Sequence, residues 1–206
     1  PVIVAGSGVD RAGTNAALLE IAGLLGCPVL TTMAGRAAFP VDHPNWLHGY
    51  GPAGDLARKE ADVIAVLGSR VGNLDLPYDK YWGDPARSKL IQIDIDARHV
   101  GVSRPLALGI VADVKPTLEA LDRLLEGRGA KARSGKDLAR YREIAREASE
   151  RQLEPIARWS GPRLHPAEVM LAVGRVFGRE AVYVTDGGMT SLWARAFLPP
   201  TRPRSY

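Results

Sequence analysis

Gly6-Ser7-Gly8 stands directly after the apolar run Val2–Ala5 and before a helical pattern. In that place the missing Cβ atoms let a backbone approach a ligand, and amides at a helix start can hold phosphate. The next glycine, Gly13, comes five residues after Gly8, so the G-x-G-x-x-G spacing of a nicotinamide site fails. The second apolar run ends in Thr31-Thr32-Met33, without an acidic residue for a ribose. Three further run ends read Gly68-Ser69-Arg70, Asp94-Ile95-Asp96 and Asp113-Val114. Together they suit a dinucleotide: backbone amides and Arg70 toward phosphate, and a carboxylate toward ribose hydroxyls. A plainer reading stands beside this one, in which the glycines pack strand on helix while Asp94 and Asp113 cap the turns that follow them.

Other chemistries have less support. The four histidines, His43, His48, His99 and His165, fall in loops or at a helix start, and no spacing sets two on one face for a metal. The single cysteine, Cys27, flanks a buried run and reads as a small core residue, which excludes an internal disulfide and fits a reducing compartment. Neither a P-loop nor a G-x-S-x-G elbow occurs.

The elements that must position these residues follow from periodicity. Val2–Ala5, Pro28–Thr31, Val63–Gly68, Lys89–Asp94 and Ala107–Val111 are short apolar runs separated by amphipathic stretches, the pattern of βαβ units in a parallel sheet covered on both faces. A helix is expected from Asn15 through Ala22 with Gly26 as its stop, and another over 116–126 with Asp113 near its start. The fold class is therefore α/β, a Rossmann-like three-layer domain over 1–126. Residues 127–162 then form a charged linker, glycine-rich over 127–135, with a polar helix over 136–154 that connects rather than packs deeply. From 163 a second α/β unit opens, with a helix from His165-Pro166-Ala167-Glu168 to about Gly178 and a strand over 181–185. Nothing closes that unit, and the chain starts at Pro1 without methionine, so a piece of a longer protein is expected.

Net charge is +4, but residues 128–163 carry ten basic and five acidic side chains, so basicity concentrates in the linker. Its only aromatics are Tyr141 and Trp159, too few to interleave a basic face for bases to stack on, and no nucleic-acid partner is expected. No run reaches the roughly 20 apolar residues of a membrane span, and the cytoplasm is the expected location.

The blocks as a set are similar to the central domain of the acetolactate synthase and pyruvate oxidase superfamily of thiamine-diphosphate enzymes. They are Pro1–Gly8, Pro28–Thr32, Gly35-Arg36-Ala37-Ala38-Phe39-Pro40, His43-Pro44, His48-Gly49-Tyr50-Gly51, Ala61–Arg70, Ile93–Asp96 and Ala112–Val114. After the linker, Val182–Gly188, Leu192-Trp193-Ala194 and Arg202–Tyr206 resemble the start of that family's diphosphate-binding domain. Acetolactate synthases follow the Asp-x-Gly element with Gln-His, whereas Met189-Thr190 stand here.

The resemblance implies a parent enzyme that uses thiamine diphosphate and magnesium to cleave or join carbon–carbon bonds beside the carbonyl of 2-keto acids or related acyl donors, with the cofactor supplying the carbanion chemistry. The activating glutamate and the magnesium motif would lie outside this chain, so the fragment alone is expected to be inactive. FAD or ADP in the central domain is also implied, at Gly6, Ser7, Gly8, Thr32, Met33, Gly49, Gly68, Ser69, Arg70, Asp94, Ile95, Asp113 and Val114, with Asp186, Gly187 and Gly188 on the thiamine diphosphate side. A homodimeric or homotetrameric parent acting on a small molecule is implied too. The alternatives are a self-contained, non-catalytic flavin or adenine-nucleotide module, and a central domain that serves only as scaffold.

Overall fold

The computed structural model describes residues 1–72, 81–129, 135–198, 200 and 202–206. The elements run β1 (Val2–Ala5), α1 (Ser7–Ala12), α2 (Asn15–Leu25), β2 (Val29–Thr31), β3 (Trp46–Leu47), α3 (Pro52–Glu60), β4 (Val63–Leu67), β5 (Lys89–Asp94), β6 (Leu108–Val111), α4 (Val114–Gly127), α5 (Lys136–Ala157), α6 (Pro166–Phe177) and α7 (Met189–Phe197). All six strands pair parallel in the order β3-β2-β1-β4-β5-β6. This is a three-layer α/β Rossmann-like fold, as the run-and-helix alternation predicts. The five predicted strands lie within a residue of their expected bounds, and β3 is additional.

Alternation along β1 shows how the layers form. Ile3 and Ala5 enter a cluster with Val9, Leu18, Ile21, Val114 and Leu118, under α1, α2 and α4. Val2 and Val4 point the other way, into a cluster with Leu30, Ala53, Ala57 and Val66, on the side of α3. Successive strand residues face opposite sides, so a strand with both faces covered must be apolar throughout, as β1 is.

Two features depart from expectation. Helix α5 does not merely connect: Tyr141 is buried in the α3-side cluster, with Ile144 and Ala145 packed against it. The spacing i, i+3, i+4 puts these three on one stripe of an otherwise charged helix. The Tyr141 hydroxyl donates to Glu60 at 2.8 Å, and Arg140 pairs with the same carboxylate at 2.9 Å. The exposed side of α5 carries local ion pairs such as Arg146 with Glu143 and Glu150.

The strand expected over 181–185 is absent, and that stretch has no regular structure. A strand exists only where a neighbour takes its backbone groups, and among the described residues the one bond between backbones here is Tyr183 N–H to the Ser205 carbonyl at 3.0 Å. Helices α6 and α7 pack on one another through a small cluster of Ile156, Ala167 and Phe197. The start of α6 is as predicted, with His165 and Glu168 forming a reciprocal cap.

Candidate functional site

Strand order reverses between β1 and β4, and ligands of open parallel sheets settle outside the carboxyl ends at such a point. The residues there are packed backbone to backbone. A Cβ on Gly6 would fall 2.2 Å from the Gly68 carbonyl oxygen, and one on Gly8 would fall 2.7 Å from the Gly68 Cα. Gly68 itself has φ +58°, which disfavours any other residue. Gly6 N–H donates to the Leu67 carbonyl at 2.8 Å and Gly8 N–H to the Gly68 carbonyl at 3.0 Å. The amides that sequence reasoning aims at phosphate are thus occupied by the end of β4 and the glycine that follows it, and close packing accounts for both glycines.

Across the reversal the predicted polar groups divide. Ser69 is buried, and its Oγ accepts the Val71 N–H at 3.1 Å. Val71 has φ +51°, a strained value for a β-branched residue, so the turn carrying Arg70 is held against its local preference. Arg70 is exposed, and its guanidinium has no partner among the described residues. Asp94, 7% exposed, accepts the Asp96 N–H at 2.9 Å on Oδ1, and the same oxygen lies 3.2 Å from His99 Nδ1. Ile95 projects into solvent. Asp96 is engaged by Arg98, whose hydrogen bonds hold its carboxyl well below the ordinary carboxylate range. Asp113 caps α4 by accepting the Lys115 N–H at 2.8 Å, and Val114 is buried in the core.

The remaining predicted residues lie toward β2. Ser7 opens α1 half-buried. Thr32 closes a turn by accepting the Gly35 N–H at 3.1 Å, and Gly49 sits beside the Thr31 carbonyl, where a Cβ would fall 2.6 Å away. Met33 goes elsewhere. With Ala34 it lines a cleft of about 540 Å³ whose far wall holds Asp186, Gly187, Arg195 and Tyr206. The structure therefore brings one residue predicted for the nucleotide together with two predicted for the diphosphate, while Asp94, Arg70 and Asp113 stand apart from that cleft. Gly188, φ +81°, begins α7 next to it.

Below the cleft lies a cationic seam that spacing does not reveal. Arg36 is buried; its guanidinium donates to the carbonyls of Arg195 and of Leu198 at the end of α7, and it stacks 4.8 Å from the Tyr206 ring. Burial, aided by Arg195, lowers its pKa to about 10. His48 lies close by, lowered to about 4 by burial and then by Arg36 and Arg195, and its Nδ1 accepts the Tyr50 N–H at 3.2 Å, which requires the neutral ring. Arg195 in turn stacks 4.4 Å from the Tyr50 ring. The one local signal was a charged residue inside the apolar turn Arg36-Ala37-Ala38-Phe39. Among the described residues, no group of three or more acidic, histidine or cysteine side chains could hold a metal.

Comparison with known proteins agrees with this architecture. The family model for the thiamine pyrophosphate enzyme central domain matches residues 1–121. The chain belongs to that family. Among curated relatives, a sulfoacetaldehyde acetyltransferase of Castellaniella defragrans is 27% identical over 230 aligned residues, which span all of this chain and 38% of the relative. An acetolactate synthase of Mycobacterium avium is 30% identical and a probable chloroplastic acetolactate synthase of Oryza sativa subsp. japonica also 30%, this chain spanning 33% and 31% of their lengths. The chain thus spans about a third of the length of these curated relatives. No helix among its described residues is long and apolar enough to cross a membrane.

Proposed function

We infer that this chain is the adenine-nucleotide-binding part of a thiamine-diphosphate-dependent enzyme acting on the carbon–carbon bond beside the carbonyl of a 2-keto acid or related acyl donor. In this reading residues 1–126 bind FAD or ADP, 127–162 link, and 163–206 open the cofactor-binding domain. The observation that carries the nucleotide part is Asp94: a nearly buried carboxylate at a strand end with Oδ1 engaged and Oδ2 without a partner among the described residues. A carboxylate so placed is suited to ribose hydroxyls, and the exposed Arg70 to phosphate. The fit is partial, because the Gly6 and Gly8 amides are engaged and phosphate must rely on Arg70.

For thiamine diphosphate the fit is weaker still. Asp186 and Gly187 line the cleft, yet no acidic cluster for magnesium exists among the described residues, so the metal-bound diphosphate needs groups from elsewhere in the parent. When bound, the cofactor would supply the carbanion chemistry. The role left to this chain's residues is to position and to wall. A cytoplasmic, homodimeric or homotetrameric parent completes the proposal.

Calorimetric titration of this chain with FAD, ADP and thiamine diphosphate tests it. FAD or ADP should bind without thiamine diphosphate, and Asp94→Ala should weaken either by about tenfold or more, the loss of a hydrogen bond to a charged acceptor. Equal affinity in Asp94→Ala would remove that residue from the site. For the parent, absence of thiamine-diphosphate-dependent turnover on any 2-keto acid or acyl-CoA donor would count against the catalytic part.

A further inference from the structure

Gln92 lies in β5 and is almost wholly buried, yet it joins two loops on the rim of the sheet. Its Nε2 donates to the Ser69 carbonyl at 3.0 Å and to the His99 carbonyl at 3.1 Å, while its Oε1 accepts the Gly101 N–H at 2.9 Å. A buried amide without partners is strongly unfavourable, so these three bonds fix both loops together. The turn carrying Arg70 is also tied to the second loop by the Ser103 hydroxyl, which donates to the Arg70 carbonyl at 3.1 Å.

His99 carries the linkage on to Asp94. Its Nδ1 lies 3.2 Å from Asp94 Oδ1, which also accepts the Asp96 N–H at 2.9 Å. Two partners converge on one oxygen, and the other has none among the described residues. A carboxylate without these bonds would rotate and present either oxygen; here it is clamped.

We propose that Gln92 and His99 are positioning residues that make Asp94 selective for a ribose diol. His99, held in place by Gln92, engages Oδ1 together with the Asp96 N–H and leaves Oδ2 as acceptor for a ribose hydroxyl, so ADP is held more tightly than its 2′-deoxy counterpart. This rests on the adenine-nucleotide reading of the strand-end crevice. A purely structural Gln92–His99 link would weaken both nucleotides alike, and the ratio of their affinities separates the two roles.

The experiment titrates the wild-type chain, His99→Asn, His99→Leu and Gln92→Met with ADP and with 2′-deoxy-ADP, with a melting curve for each variant. Wild type should prefer ADP by about tenfold. His99→Asn keeps an N–H near the position of Nδ1 and should retain that preference within about threefold. In His99→Leu and Gln92→Met the ratio should collapse toward one as ADP affinity falls. Because Gln92 is buried, Gln92→Met can cost stability, so His99→Leu, at a partly exposed position, decides. An unchanged ratio in a folded His99→Leu overturns the inference alone, provided binding still depends on Asp94. If the wild-type chain binds no adenine nucleotide, or Asp94→Ala binds as well as wild type, the nucleotide reading falls and takes the inference with it.

Discussion

Residues 2–12 and 181–197 are written in the same local grammar: a short apolar run, then two glycines at or beside the start of a helix. Only the first makes a strand. Val4 is 3% exposed and sits between β2 and β4, which take its backbone groups on both sides. Val184 is 92% exposed and has no ladder partner among the described residues. The glycines differ in the same way, since a Cβ at Gly6 collides with Gly68 while one at Gly187 meets nothing within 4 Å. Extended structure is thus conferred by the neighbours, and a turn glycine is indispensable only where another backbone presses on it.

The contrast is most easily broken at those glycines. Gly6→Ala should destabilise by roughly 3 kcal/mol or more, because the obstructing atom is a backbone carbonyl that cannot rotate away, whereas Gly187→Ala should be neutral. Chemical denaturation of the two variants checks it, and equal effects would erase the distinction between the regions.

A second effect comes from His48, in the seam where the two regions meet. Its folded pKa, about 4, lies below the ordinary 6.5, so between those values the unfolded chain binds a proton that the folded chain does not. Stability should be complete above pH 6.5 and decline as pH falls toward 4, by about 2 kcal/mol after allowance for partial exposure. Denaturation midpoints at pH 7 and 5 measure it, and His48→Gln should flatten the slope.

Arg36→Met tests the seam from the other side. Losing the donors to the Arg195 and Leu198 carbonyls should loosen α7 by about 1–2 kcal/mol. Hydrogen exchange should quicken in 189–198 while β1 stays protected; equal loss in both would mean the two regions unfold as one. The smallest effect belongs to Val184→Ser, expected within about 0.5 kcal/mol by the same denaturation assay, against about 2 kcal/mol or more for Val4→Ser.

Much of the sheet was legible because β1, β2, β4, β5 and β6 are apolar runs whose length and flanking turns admit few alternatives. The two residues of β3 are too few for a period to show. Asp94 and the Gly68-Ser69-Arg70 turn were readable as strand-end chemistry, but their supports were not. Gln92 looks like one polar residue in a strand, and its meaning lies in carbonyls at 69 and 99 that only the folded chain brings near it. Arg36 reaches carbonyls more than 150 residues away. The occupied amides of Gly6 and Gly8 were hidden too, since a glycine pair does not announce whether a ligand or another loop will take its N–H groups. The packing of α5 was masked by the charges surrounding Tyr141, Ile144 and Ala145.

The clamp of Tyr141 and Arg140 on Glu60 gives α5 the character of a screw seated against α3. At about 1.5 Å and 100° per residue, its 22 residues fix both how far from α3 the next segment begins and which way it faces. One residue inserted after Tyr141 would swing everything beyond by more than a quarter turn and carry Arg195 away from Arg36. Length in this helix is therefore a coded quantity, whereas added residues in a loop would change only slack.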